Sequence, residues 1–243
     1  MNVILENYRR IGLENILEME FGAIGQTFAL KRIIEAISGH VCHRIDRKPL
    51  VLFLPGPPGH GKTYSIRNLA HAIVGSDNFY FVPCGTVKDD ADLWGSNIGG
   101  ARGSRSQLTI FLEERQRQRS IVVFDEFEKI HGLTNPFGWD QGRKIYQTML
   151  EPFQEGHLSA VEYRDNGEPS RRIDCSDTIF ICTSNLCQKE IISFFESNDA
   201  KLNKRNLSDA DMGFIRSELC EKVLRKSLMK FFGEVDPELQ ACV

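Results

Sequence analysis

Nine consecutive residues, Pro55-Gly56-Pro57-Pro58-Gly59-His60-Gly61-Lys62-Thr63, carry the residue types that hold a polyphosphate. Gly56, Gly61, Lys62 and Thr63 occupy the fixed positions of the pattern G-x-x-x-x-G-K-[ST]. Glycines let the backbone curl until several N–H groups face one anion, and Pro57, Pro58, Gly59 and His60 complete that loop. Lys62 then supplies the cation for the β- and γ-phosphates, and the Thr63 hydroxyl is a ligand for the Mg²⁺ that travels with them. This implies binding of a nucleoside triphosphate.

A second group of chemically capable residues lies about sixty positions on. Four apolar residues, Ile121-Val122-Val123-Phe124, lead into Asp125-Glu126, the Walker B arrangement. A strand ending there holds two carboxylates at the crevice where open α/β sheets bind ligands. Asp125 is the anchor for Mg²⁺, directly or through water, and Glu126 is placed to act as general base on an attacking water. A further apolar run, Ile179-Phe180-Ile181-Cys182, ends in Thr183-Ser184-Asn185. A polar residue at that tip faces the γ-phosphate beside Glu126.

These residues need elements to position them. Leu50 to Leu54 is an unbroken apolar run, read as a strand covered on both faces. After the loop, Ile66, Leu69, Ala70 and Ile73 fall on one face of a helix. Upstream, Leu30, Ile33, Ile34 and Ile37 do the same. Phe79 to Val82 is a second strand, and residues 84–107 read as a Gly-rich mobile loop. Leu108, Phe111 and Leu112 begin a helix, and Ile145, Met149 and Leu150 sit on another. Residues 131–143 read as a loop, and Asp165-Asn166-Gly167 is a hairpin turn. A last helix runs from Asp209 through Ile215, Leu219, Val223, Leu224, Leu228 and Phe231.

Composition is that of an ordinary globular domain: 243 residues, 41% hydrophobic and 26% charged. A net charge of -3 gives no electrostatic reason to expect nucleic acid. No apolar run approaches the roughly 18 residues that cross a bilayer, and the N-terminus is not built as a secretory signal. Seven cysteines, several within strand-like runs, fit a reducing, cytoplasmic compartment. His40, Cys42 and His43 lack a second pair at ligand spacing, so a zinc site is not expected.

Taken together, the second acid after the Walker B strand and the Asn ending a further strand resemble the AAA+ ATPases, and within them the Clp-type heat-shock unfoldases. The similarity extends along most of residues 13–193. Ile24-Gly25-Gln26 resembles the family's adenine-side segment, with Ile24 at the base. Phe124 to His131 is close to that clade's Walker B extension, and Glu155-Gly156-His157-Leu158 to its turn before a hairpin. Thr183-Ser184-Asn185-Leu186 matches its sensor-1 strand, which carries Asn185 over as the residue that helps place the attacking water.

The resemblance implies a three-layer αβα core around a mostly parallel sheet, hydrolysis of ATP with Mg²⁺, and assembly into a ring, usually a hexamer, with itself or a homologous subunit. Its client would be a polypeptide. Residues 1–20 read as an N-terminal helical arm and residues 21–243 as the core, incomplete at its C-terminal end. The chain as given stops at Val243, before the family's fifth strand, helical lid and lid arginine.

Two positions depart from the pattern. Asn97 stands where the clade's pore loop has an aromatic residue, with Trp94 the nearest ring, and Cys242 stands where its arginine finger belongs. These substitutions leave two readings beside that of a protein remodeller. One is an ATP-binding switch or scaffold with little hydrolysis. The other is a protein acting on nucleic acid through Arg102, Arg105 and Arg171-Arg172, residues more often found as solvated loop charges.

Overall fold

The computed structural model describes residues 27–42, 48–95, 105–134, 138, 140–163, 169–202 and 208–235. In chain order its helices and strands begin with α1 (Thr27–Cys42), β1 (Leu50–Pro55), α2 (Lys62–Val74), β2 (Phe79–Pro83) and α3 (Asp90–Trp94). Then follow α4 (Gln107–Glu114), β3 (Ser120–Asp125), α5 (Gln141–Leu150), β4 (His157–Tyr163), β5 (Pro169–Asp174) and β6 (Thr178–Ser184). The chain closes with α6 (Gln188–Ser197), α7 (Asp199–Leu202), α8 (Asp209–Phe214), a π-helical stretch (Ile215–Leu224) and α9 (Arg225–Val235).

Four strands form one parallel sheet in the order β1-β6-β3-β2. Both faces are covered, which is why the strands read as continuous apolar runs without alternation. Successive residues of β3 and β6 divide between the two sides. Ile121, Val123, Ile179 and Ile181 pack with Leu30, Ile33 and Ile37 of α1 and Ile66, Leu69 and Ile73 of α2. Val122, Phe124, Phe180 and Cys182 pack on the other face with Leu108 and Leu112 of α4 and Ile145, Tyr146 and Met149 of α5. The result is the three-layer αβα arrangement expected from the sequence. The β4–β5 hairpin is a separate antiparallel pair, entered through Gly156.

One expectation is corrected within residues 84–107. A 3₁₀ turn (Cys84–Thr86) and the short helix α3 occupy part of the segment read as loop. Asp89 caps α3 by accepting the Asp92 N–H at 3.1 Å, and the Asp92 carboxylate accepts the Asp89 N–H in return. Leu93 anchors the helix in the core at 1% exposure. The expected loop at 131–143 is likewise shorter, because α5 starts at Gln141 under the cap of Asp140.

Beyond β6 the chain builds a smaller helical unit. Leu202, Met212, Ile215 and Leu219 bury against Phe194 and Phe214. α9 returns to the main core through Leu228, and the ring of Phe231 meets that of His131 at 5.1 Å. The expected last helix is therefore present from Asp209 to Val235, with its middle third wound as a π-helix.

Candidate functional site

The glycine-rich loop leaves β1 at Pro55 and enters α2 at Lys62. Gly59 (φ 76°) and Gly61 (φ 74°) adopt the left-handed conformation that turns the backbone back on itself, a region side chains disfavour. No side chain caps α2, so its first N–H groups remain available to an anion. The loop is tied to the neighbouring strand where the Gly56 N–H donates to Ser184 O at 3.0 Å.

β1, β6 and β3 end side by side, and this places three sequence-distant groups around one cavity of about 400 Å³. Gly59, Gly61, Lys62 and Thr63 form one wall, Asp125 and Glu126 a second, and Thr183, Ser184 and Asn185 a third. The Thr63 hydroxyl donates to Asp125 Oδ1 at 2.7 Å. Lys62 Nζ donates to Gly56 O at 2.6 Å, to Pro57 O at 2.8 Å and to Asn185 Oδ1 at 3.2 Å. A polyphosphate entering the cavity must replace these bonds to gain the ammonium. Burial lowers the Lys62 pKa, opposed by the nearby carboxylates of Glu128, Asp125 and Glu126.

Glu126 has a left-handed backbone (φ 54°, ψ 49°) although it is not glycine. Such a residue costs on the order of 1–3 kcal/mol and persists where its surroundings over-determine it. The conformation ends β3 and starts the tight turn Phe127–Ile130, which keeps Glu126 exposed at the cavity. Behind it, Phe127 is buried against Phe53, Phe124 and Tyr146. The Tyr146 hydroxyl donates to Phe127 O at 2.9 Å and fixes the turn from below.

The donor set suits Mg²⁺. Thr63 and Asp125 present hard oxygens at one point, and Mg²⁺ is usually held by one or two carboxylates plus substrate phosphates, not by an all-protein cage. A second cavity, about 450 Å³, opens on the other side of the loop. Its walls are apolar, with Leu30 and Ile33 of α1, Ile66 of α2, Ile191 and Phe195 of α6 and Leu224 of the π-helical stretch. His60, Gly56 and Pro57 face this cavity, while Pro58 faces the first.

Most residues of the first cavity were singled out from the sequence, but Thr183 was named only as part of the run ending in Asn185, with no role of its own, and Tyr64 was not named. The Thr183 hydroxyl also donates to Asp125 Oδ1 and accepts the Glu126 N–H at 3.3 Å. Its place two residues before Asn185, at the tip of a buried strand, was the available signal. The walls from α6 and the π-helical stretch were not foreseen either. Ile24, Asn97 and Cys242 lie outside the described residues.

A family model described as AAA domain (Cdc48 subfamily) matches residues 48–226. The chain is similar to the chaperone protein ClpB of Chlamydia caviae, with 23% identity over 225 residues, 84% of this chain and 24% of that protein. It is also similar to the ATP-dependent Clp protease ATP-binding subunit ClpC of Staphylococcus saprophyticus, with 26% identity over 193 residues, 76% of this chain and 21% of that protein. The chain thus spans about a quarter or less of the length of these curated relatives. Among solved structures, a closed-state cryo-EM reconstruction of Hsp104 with ATPγS and FITC casein matches with a TM-score of 0.53 and 22% identity. That match covers 96% of this chain and 39% of the Hsp104 chain, and at this identity the likeness is one of fold.

Proposed function

The chain belongs to the AAA domain family, Cdc48 subfamily, and we propose that it binds ATP with Mg²⁺ and hydrolyses it to drive remodelling of a polypeptide client. The observation that carries this reading is the convergence of Lys62, Thr63, Asp125, Glu126 and Asn185 on one cavity from three adjacent strand ends. The purine ring occupies the apolar cavity beside α1 and α6, and the triphosphate follows the loop into the polar one. Thr63 and Asp125 would hold a Mg²⁺, which would supply positive charge to the β- and γ-phosphates.

In this mechanism Lys62 gives up the carbonyls of Gly56 and Pro57 for phosphate oxygens. Asn185, released from Lys62, turns its amide toward the attacking water. Glu126 accepts a proton from that water as its oxygen bonds to the γ-phosphorus. The bond from that phosphorus to the β–γ bridging oxygen breaks, and ADP and inorganic phosphate leave. The names of the relatives, a chaperone and an ATP-binding subunit of a Clp protease, support a protein client. Six free cysteines among the described residues support a reducing, cytoplasmic setting, and no helix among those residues is long and apolar enough to cross a membrane.

A second reading, an ATP-dependent switch with little turnover, is favoured by Cys242 and Asn97 at positions where the family resemblance places an arginine and an aromatic ring. One experiment separates the readings. Equilibrium binding of a fluorescent ATP analogue and steady-state phosphate release are measured for the parent and for Lys62→Ala. The proposal expects binding and release in the parent, and an affinity loss of at least about a hundredfold in Lys62→Ala. Binding without release selects the switch. Undiminished binding by Lys62→Ala removes the assignment of the phosphate loop.

A further inference from the structure

We infer that Thr183 is a positioning residue that holds both acids of the site, fixing the carboxylate of Asp125 for the cation and the main chain of Glu126 for the attacking water. The inference rests on the proposed hydrolysis of ATP and adds a part to that site. Thr183 is the penultimate residue of β6, the strand between β1 and β3, and is 1% exposed. A single hydroxyl there has two partners on adjacent residues. It donates to Asp125 Oδ1 and accepts the Glu126 N–H at 3.3 Å.

Both partners need the restraint. Asp125 Oδ1 also accepts from Thr63, whose hydroxyl lines the cavity and is the group a cation would recruit. Thr183 sits inside the sheet on a β-branched side chain with restricted rotation, so its bond keeps the carboxylate aimed while Thr63 turns to the metal. Glu126 carries a left-handed backbone that a non-glycine residue adopts only when held. The N–H that this backbone directs at β6 meets the Thr183 oxygen. Without that hydroxyl, a partly buried N–H loses its acceptor and the main chain is free to relax toward an ordinary strand end, moving the Glu126 carboxylate off the cavity.

The test compares the parent with Thr183→Val, which keeps shape and loses the hydroxyl, and Thr183→Ser, which restores it. Each is measured for ATP-analogue affinity in EDTA, for the Mg²⁺ concentration that half-saturates the tightening of that affinity, and for kcat and KM. Thr183→Val is expected to bind in EDTA like the parent, because the phosphate loop is untouched. It should require roughly tenfold to a hundredfold more Mg²⁺ and show kcat lower by a similar factor, with KM changed about threefold or less. Thr183→Ser should recover most of both losses.

Parent-like Mg²⁺ dependence in folded Thr183→Val overturns the inference. So does a Thr183→Ser protein that folds, by circular dichroism, yet is as impaired as the valine variant. If valine prevents folding, the serine variant decides alone, since the inference requires it to be close to the parent in Mg²⁺ dependence. A parent that binds but does not hydrolyse ATP defeats the proposed function, while the Mg²⁺ titration still reads the inference separately.

Discussion

Glu126 and Asn185 meet the same cavity but are held differently, and their substitutions separate binding from chemistry. Glu126→Gln keeps size and hydrogen bonding yet cannot take a proton. Turnover is expected to fall by about 10²–10⁴ with ATP still bound. Asn185→Ala should also retain ATP and slow hydrolysis, because in the proposed mechanism Asn185 places the attacking water and not the nucleotide. Parallel binding and phosphate-release assays check both, and parent-like turnover in Glu126→Gln would identify another base. The buried thiols and the half-buried Cys187 give a pH prediction. Burial raises Cys175 from an ordinary 9.0 to about 12 and Cys187 from 9.0 to about 11, and pushes Cys84 and Cys182 further in the same direction. A raised folded-state pKa stabilises fully below the unfolded value and is lost as pH climbs through the folded one. The urea midpoint should therefore fall from pH 9 upward, and Cys175→Ala should make that fall shallower.

At the scale of elements, α5 is seated by a close approach. A Cβ on Gly142 would lie 2.2 Å from Ile130 O, with the Gly142 N–H already donating to Leu133 O at 3.1 Å. Gly142→Ala must push the start of α5 off the turn after β3, at a cost of about 1–3 kcal/mol. Because Tyr146 on α5 holds Phe127 beside Glu126, turnover should fall along with stability. Urea denaturation and phosphate release on the same preparation test this, and an unchanged midpoint would mean the contact relaxes freely. Elements also show where sequence was opaque. α3 has five residues and α6 has no buried side chain, so neither offers the long apolar stripe that betrays α2. Their positions come from a capping box and from packing on the helices after residue 208.

For the whole molecule, the resemblance to Clp-type ATPases makes assembly the property to measure. Light scattering of the chain with ATP and Mg²⁺ is expected to report a mass several times the 27.6 kDa of one chain. In such an assembly the proposal places Cys242 where a neighbour's arginine would meet the γ-phosphate. A neutral thiol cannot balance charge developing there, so Cys242→Arg should raise turnover. A brisk parent rate that depends on Arg216 or Arg225 and ignores position 242 would instead assign the cation to the C-terminal helices.

The sequence by itself determined the glycine-rich loop, the acidic strand end and the strands covered on both faces, because each is written locally. The loop is a spacing within nine residues and the covered strands are unbroken apolar runs, whereas the three-layer αβα arrangement came from the resemblance to AAA+ ATPases. The Asn185 role came by resemblance, from a motif equally short. Tertiary structure decided what those residues touch. Lys62 meets Asn185 across 123 positions, and Asp125 meets Thr63 across 62 and Thr183 across 58. It also decided that α6 and the π-helical stretch wall the apolar cavity. No local pattern encodes such contacts. They exist because β6 inserts between β1 and β3, so that three strand ends from separate parts of the chain lie side by side.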